Sequence, residues 1–260
     1  TIGSQVVISG SGFGDPQAAS AVLLSDTPVT VNSWSATSIT ITIPTGATSG
    51  PLVVSVAPSM NDSNPVTFTV TSQPLPSPWL DRDIGQVPAA GSATFASGTF
   101  TVQGSGVLDG TAEATHFVYE PLSGDGTIVA RVVSVQGSGY PQAGVMIQET
   151  TNDPGASNAF TGYYGWYGGM VFMDRTSTGA SEGVQNYISQ NVPYWVELVR
   201  SGDTFSSYVS ADGVNWVQLG TSATITMAQN VYVGLAVGMR NGSGTATGGC
   251  KNNCVSGHRI

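Results

Sequence analysis

Apolar residues in this chain rarely recur at the three- and four-residue spacing of a helix face. Short β-branched runs, cut by Gly, Pro, Asn and Asp, follow one another from end to end instead. A chain without amphipathic helices buries its apolar side chains by packing sheet on sheet, so an all-β sandwich architecture is expected. In the first section the runs lie at residues 6–8, 21–24, 38–43, 52–56 and 66–70, the density of a small sandwich. Proline then alternates through Gln73-Pro74-Leu75-Pro76-Ser77-Pro78, which favours an extended, semi-rigid spacer. Beyond it, strand candidates at 99–102, 116–120, 127–135, 144–149, 159–164, 169–175, 194–200, 204–210 and 232–239 have the spacing of a larger antiparallel sandwich. The expected division is a first domain over 1–72, a linker over 73–79 and a second domain over 80–260.

Charge narrows the partners. Only 9% of residues are charged, the net charge is −9, and Lys251 is the single lysine, so no basic patch able to displace counterions from a nucleic acid backbone can be assembled. No apolar run approaches the roughly 20 residues of a spanning helix, which argues against membrane insertion. The first residues lack the basic and apolar regions of a signal peptide and read as a mature or cut start. A surface built from Ser, Thr, Asn and Gln suits a secreted or cell-surface protein. In that setting Cys250 and Cys254 are expected to form a local disulfide; two free thiols or metal ligation are the alternatives.

Residues 1 to about 72 resemble the IPT/TIG immunoglobulin-like family. The resemblance rests on Ile8-Ser9-Gly10-Ser11-Gly12-Phe13-Gly14, on Trp34-Ser35-Ala36-Thr37-Ser38-Ile39-Thr40-Ile41-Thr42-Ile43-Pro44, and on Gly50 and Ser63-Asn64. The glycines read as turn residues, because a phosphate-cradling loop would need a helix after Gly14 and none follows. Residues 79 to about 240 resemble the concanavalin A-like domain of the bacterial "regulation of enolase protein" family. The matching segments include Asp83-Ile84-Gly85, Gly98-Thr99-Phe100-Thr101-Val102, His116-Phe117-Val118-Tyr119, Ala143-Gly144-Val145-Met146-Ile147, Pro193-Tyr194-Trp195-Val196 and Ser210-Ala211-Asp212-Gly213-Val214-Asn215-Trp216. The resemblance implies an immunoglobulin-like sandwich followed by a concanavalin A-like jelly roll, and relatives that act as accessory modules of carbohydrate-active or surface proteins. Two departures stand out: Leu108-Asp109-Gly110 where the family often carries tryptophan, and no recognisable final strand after Thr247.

The most unusual stretch is residues 160–169, where large aromatics alternate with glycines at an expected hairpin tip. Neighbouring strand side chains face opposite ways, so Tyr163 and Tyr164 cannot enter one core, and the tip is expected to leave Trp166 and Tyr167 partly exposed. Two readings stand: the rings cover a sheet edge or a neighbouring domain, or they stack on the C–H faces of sugars. A stack that removes about 50 Å² of apolar surface supplies on the order of 1 kcal/mol, so a few would give roughly millimolar binding. Tyr140 could flank the same rim or be a simple loop residue. Charges inside strands are the second clue, because they are costly to bury unpaired. Arg131, Glu149, Asp174 and Arg175, with Gln148, would form a polar groove floor if they share the concave face; structural ion pairs or solvent-facing positions are the alternative.

No catalytic residues are expected. The Glu-x-Asp-x-x-Glu strand of glycanases on this fold is missing, and no Gly-x-Ser-x-Gly elbow occurs. If the chain were an enzyme it would be a glycoside hydrolase, with Glu149 and Asp174 as the pair to test. No cofactor is expected; a structural calcium at Asp81 and Asp83 is conceivable, though two carboxylates fall short of its coordination number. The chain therefore reads as a non-catalytic carbohydrate-binding region of an extracellular bacterial protein, binding polysaccharide or oligosaccharide, with a catalytic domain conceivably attached in the parent protein. A structural or adhesive surface protein is the alternative.

Overall fold

The structure, a computed structural model, describes residues 4–15, 17–44, 47–58, 61–70, 75–96, 98–137, 139–241, 246–251 and 255–256, the last two segments as backbone. Contacts divide the chain into two units, Thr1–Pro74 and Leu75–Ile260. Strands are the only regular elements among the described residues, so no helix is long and apolar enough to cross a membrane.

The first unit contains β1 (Gln5–Ser9), β2 (Ala21–Leu24), β3 (Thr27–Pro28), β4 (Thr30–Trp34), β5 (Ser38–Thr42), β6 (Gly50–Val56), β7 (Asn61–Asp62) and β8 (Val66–Phe68). They form one sheet in the order β1-β5-β4 and another in the order β3-β2-β6-β7, with β8 also on β6. Alternation turns Ile39 and Ile41 of β5 and Val22 and Leu24 of β2 into the core, the immunoglobulin-like arrangement. Trp34 closes the glycine-rich turn: its indole N–H donates to the carbonyls of Phe13 (3.2 Å) and Gly14 (3.0 Å).

The second unit contains β9 (Leu80–Ile84), β10 (Ser92–Ala96), β11 (Thr99–Gly104), β12 (Thr115–Ser123), β13 (Gly126–Gln136), β14 (Pro141–Gln148), β15 (Asn158–Tyr164) and β16 (Gly169–Arg175). It continues with β17 (Gly183–Ile188), β18 (Tyr194–Ser201), β19 (Thr204–Ser210), β20 (Val217–Gln218), β21 (Ala223–Thr224), β22 (Asn230–Met239), β23 (Ala246–Lys251) and β24 (Val255–Ser256). A seven-stranded sheet runs β17-β16-β15-β14-β22-β12-β9, and a nine-stranded sheet runs β10-β11-β23-β13-β18-β19-β20 with β21 and β24 paired alongside. The inner faces pack Val145, Phe172, Val233 and Leu235 against Ile128, Ala130, Val196, Leu198 and Phe205. Each of these side chains larger than alanine stabilises the fold by roughly 1.5–3 kcal/mol through burial. Ser207 donates to the Thr161 hydroxyl across the sandwich at 2.8 Å.

The missing final strand exists. β23 lies between β11 and β13 and pairs with both. Ala246-Thr247-Gly248-Gly249 has a single β-branched residue and two glycines, a weak strand signal, and pairing with the two flanking strands imposes the conformation instead. The expected Cys250–Cys254 bridge lies outside the described residues. The Asp212-Gly213 turn behaves as a turn: Asp212 accepts the backbone amides of Asn215 and Val214, both at 2.8 Å, and Gly213 takes a positive φ of 77°.

The seven-stranded sheet is apolar on its outer face as well. Phe117, Met146, Phe160, Val171 and Met173 form a second buried cluster there with Ile84, Leu108 and Tyr164. Glycines let this layer lie flat. A Cβ on Gly144 or Gly162 would meet the Phe160 ring at 2.9 or 2.8 Å, so the aromatic ring rests directly on backbone.

Candidate functional site

The segment 105–114 leaves β11 in one sheet, crosses the outer face of the other, and enters β12. Gly106 bridges to Met239, and a Cβ on Gly238 would meet the Gly106 carbonyl at 2.8 Å, so glycine permits the close approach. The Leu108 amide donates to Gln142 Oε1 at 2.9 Å while its side chain, 1% exposed, fills the apolar cluster. This crossing sends one carboxylate to each end of the face, Asp109 and Glu113.

Glu113 and Arg175 define the closed end. Their ion pair is 3.3 Å long and both side chains are 0% exposed; a second carboxylate, Glu182, meets the same guanidinium at 3.1 Å. The Arg175 donors are also taken by the carbonyls of Ala180 (3.2 Å), Pro154 (3.1 Å), Ala156 (3.1 Å) and Gly110 (3.3 Å). Gln148 and Asn158 donate to Glu113, the latter at 2.9 Å. Burial pushes the Glu113 carboxyl up to about 7 against the pull of Arg175. Burial likewise pushes Glu182 up to about 8. Two carboxylates confront one guanidinium out of water, and desolvation outweighs the attraction.

Asp109 and Arg240 define the open end. They pair at 2.8 Å with side chains 23% and 35% exposed. The Tyr164 hydroxyl donates to Asp109 at 2.8 Å and accepts from Arg240 at 3.0 Å. Burial, helped by the hydrogen bond to Asp109, raises the Tyr164 pKa, so it remains a phenol. The Arg240 guanidinium also lies 4.5 Å from the centre of the Trp166 ring. Trp166, on the four-residue tip between β15 and β16, is 49% exposed, and Tyr140 meets it at 4.8 Å and 80°. From Tyr164 the rings continue through Tyr167 (5.3 Å) to Tyr187 (5.1 Å further), which is 52% exposed.

The structure thus brings Tyr140, Trp166 and Tyr167 together at one rim. It divides Tyr163 and Tyr164: Tyr163 packs on the inner core, and Tyr164, 0% exposed, belongs to the outer cluster. The expected groove residues are dispersed. Arg131 lies on the nine-stranded sheet opposite Trp195, between inward-facing Ala130 and Val132, and so points away from the sandwich. Gln148 and Arg175 do share the outer face, but as buried partners of Glu113. Asp174 points inward, pushed up by burial and held by Gln185 at 2.7 Å. Glu149 accepts the Ala228 amide at 3.0 Å, and no hydrogen bond joins it to Asp174. Asp81 and Asp83 turn to His116, at 3.2 and 2.8 Å, and no group of three or more metal-ligand side chains gathers among the described residues.

Sequence reasoning missed Asp109, Glu113, Glu182, Tyr187 and Arg240. The one available signal was the Leu108-Asp109-Gly110 departure from the family pattern, at the place where the crossing is pinned.

Comparison with known proteins assigns residues 1–70 to the IPT/TIG domain. No curated protein matches the chain. Among solved structures, a functionally unknown protein from Saccharomyces cerevisiae superposes with a TM-score of 0.51 and 16% identity over 66% of this chain and 91% of that one. The carbohydrate-binding module CBM66 from Bacillus subtilis gives a TM-score of 0.43 at 16% identity over 68% and 92% of the two chains. The lectin I-B4 from Griffonia simplicifolia gives 0.43 at 9% identity over 68% and 92%. At such identities the likeness concerns the fold alone. The chain is an all-β protein with an IPT/TIG immunoglobulin-like domain over residues 1–70 and a larger two-sheet sandwich after it.

Proposed function

We propose that the larger unit is a non-catalytic carbohydrate-binding module of a secreted or cell-surface bacterial protein, akin to the "regulation of enolase protein" group, with the IPT/TIG domain as its spacer. The observation that carries this reading is Trp166, half in water, steadied by Arg240 at 4.5 Å and Tyr140 at 4.8 Å beside the partly exposed Asp109. A rigid indole next to a carboxylate and a guanidinium offers a sugar both an apolar face and directional partners for its hydroxyls. One or two stacks supply on the order of 1 kcal/mol each, so the site belongs to a weak binder that gains from several copies on an insoluble polymer.

Retention on a panel of insoluble polysaccharides tests the proposal. The intact chain is expected to be held by at least one polymer, and Trp166→Ala to abolish retention while the thermal unfolding midpoint stays put. Equal retention of the variant, or retention by none of the polymers together with capture of a surface protein through Trp166, would replace the sugar reading with an adhesive one.

A further inference from the structure

Granting the sugar reading, we propose that the site takes the end of a neutral glycan, one or two rings deep, and does not hold a chain laid across the sheet. Binding along a sheet needs an open trough with polar side chains on its floor. Here the middle of the outer face is filled: Phe117, Met146 and Val171 are 0% exposed, Phe160 and Met173 1%, and Leu108 from the crossing lies among them. The floor residues that would greet hydroxyls, Gln148 and Arg175, are fully buried and turned to Glu113 from the same crossing. A long glycan therefore finds no continuous track between the two ends.

What stays accessible is short. Trp166, Tyr140 and Tyr187 are exposed rings, with Trp166 and Tyr187 joined through Arg240, Tyr164 and Tyr167. Between them Asp109 uses only Oδ2, for Tyr164 and Arg240, and Arg240 uses only Nη1. Among the described residues Asp109 Oδ1 and Arg240 Nη2 carry no other hydrogen bond, so a free acceptor stands beside a free donor. Two adjacent hydroxyls of one ring can satisfy both. Because the carboxylate and guanidinium already neutralise each other, the pair favours an uncharged diol over an acidic sugar, which would have to displace Asp109 from Arg240.

Calorimetric titration of the intact chain with cello-, xylo-, manno- and fructo-oligosaccharides of one to six units tests this directly. For whichever series binds, the dissociation constant is expected to fall up to two units and then change less than twofold through six. Asp109→Asn is expected to weaken binding about tenfold. A dissociation constant that keeps falling, by fivefold or more between two and six units, overturns the end-binding inference and leaves the sugar reading intact if Trp166→Ala still abolishes it. Binding of none of the series, with polysaccharide retention also absent, overturns both.

Discussion

The two ends of the outer sheet face use one chemical pair to opposite effect. At each, an arginine meets a carboxylate from the crossing 105–114; Arg175 and Glu113 are 0% exposed, Arg240 and Asp109 35% and 23%. The closed end surrounds its guanidinium with carbonyls and a second carboxylate and shuts it away from solvent. Among the described residues the open end leaves Oδ1 of Asp109 and Nε and Nη2 of Arg240 uncommitted beside an exposed indole. Solvent access, and not residue type, separates an anchor of the fold from a surface able to recognise something.

The sharpest way to break this contrast is to remove each arginine. Arg175→Met is predicted to cost about 3–5 kcal/mol in denaturant unfolding, because two carboxyls and four backbone carbonyls stay buried without their donor. A loss below about 1 kcal/mol would show that the closed end is no anchor.

The protonation of that end sharpens the contrast next. Glu113 and Glu182 sit at about 7 and about 8, above the ordinary 4.5, so between those values the folded state holds protons that the unfolded chain releases. Stability is therefore predicted to be fully present below about pH 4.5 for these groups and to fall as pH rises towards 8. Glu182→Gln should flatten the slope. An unchanged slope would place the titration elsewhere.

The smallest effect belongs to the open end. Arg240→Ala breaks a half-exposed pair and is predicted to change stability by no more than about 1 kcal/mol, measured by the same unfolding titration. If it costs as much as Arg175→Met, the distinction between anchor and rim fails.

Most strands were legible in the sequence because their interior positions alternate or run apolar: 169–175 and 204–210 coincide with β16 and β19. Three of the strands that escaped notice are instructive. Leu80-Asp81-Arg82-Asp83-Ile84, Ser92-Ala93-Thr94-Phe95-Ala96 and Gly183-Val184-Gln185-Asn186-Tyr187-Ile188 form β9, β10 and β17, all at sheet edges. An edge strand is paired on one side only and tolerates charge and small residues that an interior strand would not. Of the site, Trp166 and Tyr140 could be read because glycines hold them at a loop tip. Tyr164 could not, since its burial depends on a second apolar layer supplied by Leu108, far away in sequence. Nor could Arg131, whose placement on the other sheet depends on strand order, or Arg175, whose partners Glu113 and Glu182 come from non-periodic connections.

The position of β23 also dictates an order of events. It is inserted between β11 and β13, although it is made after both of them and after β22. During synthesis the nine-stranded sheet therefore waits with a gap in its interior, two facing rows of unpaired amides and carbonyls held open until residue 251 has been added. A nascent chain stalled before that point would offer its neighbours two unpaired strand edges.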